Sequence, residues 1–306
     1  MDKSDILYQA AENNDLNTIK KYIEQNEDQP SDADTRHRTA TTIFRIALRH
    51  DYNEITEYML NHGNFEAGTY TCFLGDSIAL DSFNTEIAGF LLALGANPTE
   101  ALIHTYYRDN DQAFDYLIEH GADINEAGYL EAAFNDLEDK NLYDLDKILA
   151  LGADPFILVD FTAICANNRY PFFTIDRQTT PNNIPLLHYY MNIWTYATSL
   201  ELANIVIETL DHIAMFVPSL NVQDQWGRNL LHYVNTLPLD HNDMNYEGII
   251  YKKQVIQHLI KLGVDPDQPA LIDDQEKVTL AKIKGTLPKD YGKTPRQILP
   301  ANLFTP

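Results

Sequence analysis

Tyr116–Asn125 reads YLIEHGADIN: an apolar helix ending, then glycine, a small residue and an aspartate. The phrase returns as YMLNHGNF at Tyr58–Phe65, FLLALGANP at Phe90–Pro98, KILALGADP at Lys147–Pro155 and HLIKLGVDP at His258–Pro266. Its glycines are Gly63, Gly95, Gly121, Gly152 and Gly263, separated by 32, 26, 31 and 111 residues. The last gap holds about three units at a period near 33, or fewer units with insertions. Each glycine stands where a helix ends in a residue of positive φ, which costs any side chain with a Cβ. All five are therefore expected to be helix stops.

Upstream of each stop lies an amphipathic segment with helical spacing, such as Ile55, Tyr58 and Met59, or Phe114, Leu117 and Ile118. A shorter helix precedes it, marked by small or apolar pairs: Ala10-Ala11, Ile46-Ala47, Ile78-Ala79 and Ala132-Ala133. Small residues there let successive units stack closely. The pattern predicts an all-α chain of about seven or eight helix-turn-helix units, beginning near Ser4 and closing with a cap near Leu303. One stretch, 156–185, departs from it and reads as an insertion, with a short helix expected around Asp160 to Asn167.

Two openings are better formed. Asn221–Val234 reads NVQDQWGRNLLHYV and Asp290–Leu299 reads DYGKTPRQIL. Here Asp224, Gly227, Leu231 and His232, and Asp290, Gly292, Thr294 and Pro295, resemble the ankyrin-repeat unit D-x-x-G-x-T-P-L-H-x-A-A. Thr294 suits a helix cap and Pro295 the first helical position, where its missing N–H is not needed. Other units are degenerate, with Thr42-Ile43-Phe44-Arg45 or Glu100-Ala101-Leu102-Ile103 at the Thr-Pro-Leu-His positions. The resemblance covers nearly the whole chain. It implies one ankyrin-repeat solenoid over 1–306: N-terminal repeats in 1–154, an enlarged repeat with the insertion in 155–220, and C-terminal repeats with a cap in 221–306.

Composition narrows the function classes. Forty-five acidic residues against 22 basic ones give a formal charge of −23, which repels nucleic acid and anionic membrane surfaces. The exception is Lys277–Arg296, where Lys277, Lys282, Lys284, Lys289, Lys293 and Arg296 meet only Asp290; such a short run reads as a solvated cap. Two cysteines and an N-terminus without an apolar core point to a reducing, cytoplasmic setting. No apolar run reaches the ~18 residues needed to span a bilayer.

No catalytic or metal motif stands out, and no cofactor is expected. Among the ten histidines, His232 takes the family's hydrogen-bonding position, while His62 and His120 precede helix stops. Cys165, served by His188 or His212 with Asp160 or Asp176, is the candidate nucleophile of an alternative reading. In it, the chain is an enzyme or modifying protein with its site at the 156–185 insertion, and the repeats are its substrate receptor. Its apolar neighbours Ala163, Ile164 and Ala166 instead suggest a buried, inert thiol, and Cys72 reads the same way. The acidic run Asp136, Glu138, Asp139, Asp144 and Asp146 lacks the central glycine of a calcium loop and reads as a solvated helix face.

The resemblance implies protein binding through turn tips and the exposed ends of first helices. Mapped onto this chain, these positions are Glu12-Asn13, Arg49-His50, Asp81-Ser82, Tyr107-Arg108 and Glu138-Asp139, with Gln223, Gln225, Trp226 and Arg228 in the late unit. Trp226 is the foremost of these and is expected to lie exposed at a tip, since an exposed tryptophan signals a partner. The degenerate repeats also resemble ankyrin proteins that intracellular bacteria export into host cells, and LIEHGADIN around Asn125 resembles ankyrin segments that undergo asparagine hydroxylation.

Overall fold

The computed structural model describes residues 3–26, 33–63, 65–80, 83–126, 128–135, 142–160, 183–195, 200–234, 246–272, 274–284, 287 and 289–304. Among them are fifteen α-helices and one two-stranded sheet. The chain divides into two compact units, Met1–Tyr129 and Leu130–Pro306.

The first unit contains α1 (Lys3–Glu12), α2 (Leu16–Asn26), α3 (Ala33–Arg49), α4 (Asn53–His62), α5 (Ala67–Ile78), α6 (Thr85–Ala93), α7 (Pro98–Arg108) and α8 (Asp111–Glu119). They pair in chain order as four hairpins, and the first helices pack in series, α1 on α3, α3 on α5 and α5 on α7. Small residues allow this approach: Ala10, Ala11 and Ala47 are buried, and a Cβ on Gly75 would fall 2.8 Å from the His104 ring. Larger side chains fill the layers, with Phe44 of α3 stacked on Phe73 of α5 at 3.9 Å between centroids. Asparagines begin three helices. Asn84, Asn97 and Asn110 accept N–H groups of the first turns of α6, α7 and α8, leaving fewer helix-start donors unmatched.

The hairpin turns share a geometry that the glycine pattern does not announce. Asn14, Asp51 and Asp109 adopt φ of 55°, 55° and 52°, and the N–H of the next residue returns to a carbonyl five positions back. Asn and Asp bear this left-handed conformation better than other residues with a Cβ.

The second unit contains α10 (Leu142–Ala150), β1 (Leu158–Asp160), β2 (Asn183–Pro185), α11 (Leu186–Trp194), α12 (Leu200–Phe216), α13 (Tyr246–Lys261), α14 (Gln275–Lys284) and α15 (Pro295–Ile298), while α9 (Tyr129–Asn135) begins at the division. The helices α10, α12 and α13 pack in series, and α11 packs on a 3₁₀ turn at Leu230–Tyr233. Tyr251 donates to the Trp194 carbonyl, and the Trp194 indole N–H to the Phe134 carbonyl at 3.4 Å. At α15 the Gln297 side chain accepts the Thr294 N–H at 2.8 Å and Pro295 takes the first turn, as its sequence suggests.

Four of the five expected helix stops have positive φ: Gly95 (98°), Gly121 (87°), Gly152 (92°) and Gly263 (91°). Gly63 corrects the expectation, since it keeps right-handed helical geometry at φ −75° and donates to the Met59 carbonyl. Glycine serves there by its size, because a Cβ would fall 2.2 Å from the Phe65 ring. Asp160 ends a β-strand instead of opening a helix, and the rest of the expected 160–167 helix lies outside the described residues. The long interval before Gly263 contains a helix end without glycine: α12 stops at Phe216, with Pro218 two residues later.

Candidate interaction surface

The tips of the first unit are linked into a row. Tyr52 donates to the Glu12 carbonyl at 3.3 Å, and His50 Nε2 lies 3.3 Å from the Glu12 carboxylate. Arg45 of α3 pairs with Asp76 of α5 at 2.6 Å, and Asn110 Nδ2 donates to the Ile78 carbonyl at 3.1 Å. Each bond joins one hairpin to the one before it near the ends of the first helices, so these ends share an edge. On the opposite turns, Thr71 and Thr99 hydroxyls accept the N–H groups of Asn97 and Asp123, both at 2.8 Å.

Of the sequence-predicted tip residues, Arg49, His50, Tyr107 and Arg108 are exposed on this edge. Tyr107 is 67 % exposed, a large ring turned to solvent, and the exposed Arg108 follows it in the chain. Among the described residues neither Arg49 nor Arg108 has an ion-pair partner. Asp81, Ser82, Glu138 and Asp139 lie outside the described residues.

The second unit corrects the expectation for Trp226 and Arg228. Trp226 is 7 % exposed: Tyr291 meets its ring edge-on at 6.3 Å and the Lys277 ammonium sits 4.8 Å from its centre. Lys277 also donates to the Gln225 carbonyl at 3.1 Å. The residues after Gly263 thus fold back over the turn. Arg228 is buried as well, donating through Nε to Asp224 Oδ2 at 2.8 Å and through Nη2 to the Tyr233 hydroxyl at 2.8 Å. That hydroxyl donates to Asp224 Oδ2 at 2.6 Å, while Asp224 Oδ1 accepts the N–H groups of Trp226 and Arg228. Gln223 and Gln225 remain exposed.

Every Asp224 oxygen is satisfied, which is what lets a charge survive burial. Burial acts to raise its pKa, but the Arg228 guanidinium, the Tyr233 hydroxyl and the backbone donors outweigh it and hold the carboxyl below the usual range. Burial also pushes the Tyr233 hydroxyl well up. The constellation closes a turn, and Arg228 Nη1 extends it to within 3.9 Å of the Asp290 carboxylate.

Two histidines tie this unit together. His232 Nδ1 accepts the Asn229 N–H at 3.1 Å, so Nε2 carries the proton and donates to the Lys293 carbonyl at 3.1 Å. His188 makes the matching bond through Nε2 to the Val222 carbonyl at 3.1 Å, but its buried Nδ1 has no partner. The cause is covalent. The residue three before His232 is Asn229, whereas the residue three before His188 is Pro185, which has no N–H to give. Burial brings the His188 pKa down to about 4.

Cys165 and Asp176 lie outside the described residues; His212 is engaged by Asp146 at 2.7 Å. Cys72, expected to be buried, is exposed on α5. Asp144 belongs to α10, while Asp136 lies outside the described residues. Among the described residues no group of three His, Cys, Asp or Glu side chains is placed to hold a metal ion, and no helix is long and apolar enough to cross a membrane. Within the basic stretch, Arg296 pairs with Asp267 at 2.9 Å and covers the Phe304 ring, so part of that charge is spent internally. No family model matches the chain, and no curated protein or solved structure is recognisably similar to it.

Proposed function

We propose that this chain is a protein-interaction module of the ankyrin type, a solenoid of stacked hairpins that holds a partner protein along the tip row of residues 1–129. The observation that carries the reading is Tyr107, exposed beside Arg108 at the end of a helix whose neighbours are cross-linked by hydrogen bonds. Tyrosine and arginine are favoured interface anchors, because each brings a large contact area together with directional polar groups. A row pinned at each hairpin presents those groups with little ordering left to lose on binding. Arg49 and His50 extend the contact, and the module acts without a cofactor. A cytoplasmic protein, or an effector delivered by an intracellular bacterium into a host cell cytosol, fits an acidic chain with two cysteines.

The test is affinity capture with the intact chain, repeated with Tyr107→Ala/Arg108→Ala. Both side chains are exposed, so the variant should keep its helical circular dichroism and lose less than about 1 kcal/mol of stability. Binding of the captured partner should weaken by about 2 kcal/mol or more, roughly thirtyfold in Kd. Undiminished binding by the folded variant, or no specific partner for the intact chain, would remove the reading.

A further inference from the structure

The second helices of the first unit carry an aromatic row on a face separate from the tips. Five residues before Gly63, Gly95 and Gly121 stand Tyr58, Phe90 and Tyr116, and immediately before the glycines stand His62, Leu94 and His120. Two of the three rows are built alike. His62 stacks on Tyr58 at 4.3 Å with Nδ1 donating to the Tyr58 carbonyl at 2.9 Å. His120 stacks on Tyr116 at 4.0 Å and repeats that bond at 2.7 Å.

These rings are covered. The ammonium of Lys20, from α2, also lies 5.3 Å from the centre of the Tyr58 ring, and Phe83 meets Tyr116 edge-on at 5.5 Å. The middle position differs. Leu94 replaces the covering histidine, so Phe90 is 54 % exposed with Leu94 40 % exposed one turn on. Among the described residues no ring or cation lies over Phe90.

Charge says what belongs there. The helices α4, α6 and α8 contain no lysine or arginine, and their exposed faces carry Glu54, Glu57, Glu86 and Glu119. An apolar ring beside carboxylates attracts an alkyl-ammonium or guanidinium chain, through ring contact, stem burial and Coulomb attraction together. Lys20 over Tyr58 is this same contact made within the chain. A second copy meeting this face symmetrically would bring carboxylates against carboxylates, which disfavours self-association.

We propose that the Phe90–Leu94 face of α6 docks a basic amphipathic segment of a partner protein, whose apolar side covers the two residues and whose Lys or Arg side chains meet the glutamates of α4, α6 and α8. The surface is distinct from the tip row and stands or falls apart from it.

The experiment titrates the intact 306-residue chain into a labelled amphipathic peptide of lysine and leucine, at about 0.15 M ionic strength so that diffuse attraction is screened, with a glutamate–leucine peptide as control. The variant Phe90→Glu/Leu94→Glu separates a docking face from bulk charge, because it removes the apolar contact while making the protein more acidic. The proposal expects binding of the lysine peptide alone, weakened about tenfold or more in this variant. Glu57→Gln/Glu86→Gln should weaken it also, with a shallower salt dependence. Equal or tighter binding by the Phe90→Glu/Leu94→Glu protein would mean attraction by net charge alone and overturn the proposal, as would absence of binding. So would a concentration-dependent dimer that this variant abolishes, since the face would then be covered by a second copy. The Tyr107→Ala/Arg108→Ala protein should bind the peptide as the unaltered chain does.

Discussion

Gly227→Ala should be among the most damaging single substitutions in the second unit, for two reasons that a companion variant separates. Gly227 has φ +78°, and a Cβ there would fall 2.2 Å from the Leu271 carbonyl oxygen and 2.7 Å from its nitrogen. Gly263 has nearly the same conformation, φ +91°, but nothing within 4 Å of its Cβ position. Forcing alanine into the left-handed region costs about 1–2 kcal/mol, and that is the whole cost expected at Gly263. At Gly227 the Leu271 backbone must also move. It carries with it Ala270, whose N–H donates to Lys293 and whose carbonyl accepts the Gly292 N–H, at 3.0 and 2.9 Å. Losing these two bonds at roughly 1 kcal/mol each brings the total to about 3–4 kcal/mol. Urea unfolding of both variants, followed by circular dichroism and tryptophan fluorescence, gives the comparison. A Gly227→Ala protein no less stable than Gly263→Ala would show that the Leu271 segment does not lie against this turn.

Trp226→Ala should cost about 3 kcal/mol, in the range for truncating a packed aromatic, where a tip residue would have cost about 0.5; thermal and urea melts decide it. His188 should make the protein acid-sensitive. Its pKa is 6.5 in the unfolded chain and about 4 in the fold, so the unfolded state binds the extra proton between those values. The contribution is complete above pH 6.5 and declines as pH falls towards 4, by about 3 kcal/mol in all, and His188→Gln should flatten that slope. An NMR titration placing the His188 midpoint near 6.5 in the folded protein would refute this.

The helix class, the helix ends at Gly95, Gly121, Gly152 and Gly263, and the exposure of Arg49, His50, Tyr107 and Arg108 were legible because each depends on residues within one or two turns. Trp226 was not. Its neighbours in sequence describe a turn tip, while its covering groups, Lys277 and Tyr291, come from a longer segment than the repeat period provides for. The Asp224–Arg228–Tyr233 network was half legible, since Asp224 and Gly227 mark the turn but nothing local says that a guanidinium will be buried within it. The signal for His188 was in plain view, as PLLH at Pro185–His188 parallels NLLH at Asn229–His232, and the proline itself announces the missing donor. The Tyr58–Phe90–Tyr116 row was also readable, at a fixed offset from three glycines, once those glycines were used as a ruler rather than only as stops.

The two-stranded ladder has a consequence for engineering. It pairs Leu158 with Pro185, Val159 with Ile184 and Asp160 with Asn183, and Leu186 and Leu187 continue it by donating to the Ile157 and Pro155 carbonyls at 2.9 and 2.8 Å. Leu158–Asp160 and Asn183–Pro185, on either side of residues 161–182, are thereby clasped together where α11 starts. The register of α11 is then set by the clasp and not by the length of chain between its jaws. Closing a longer loop across a fixed gap adds only about 0.6 kcal/mol for each doubling of its length. A reporter domain whose own termini lie close together could therefore be spliced between Asp160 and Asn183, giving a fluorescent or affinity handle that leaves both chain ends free.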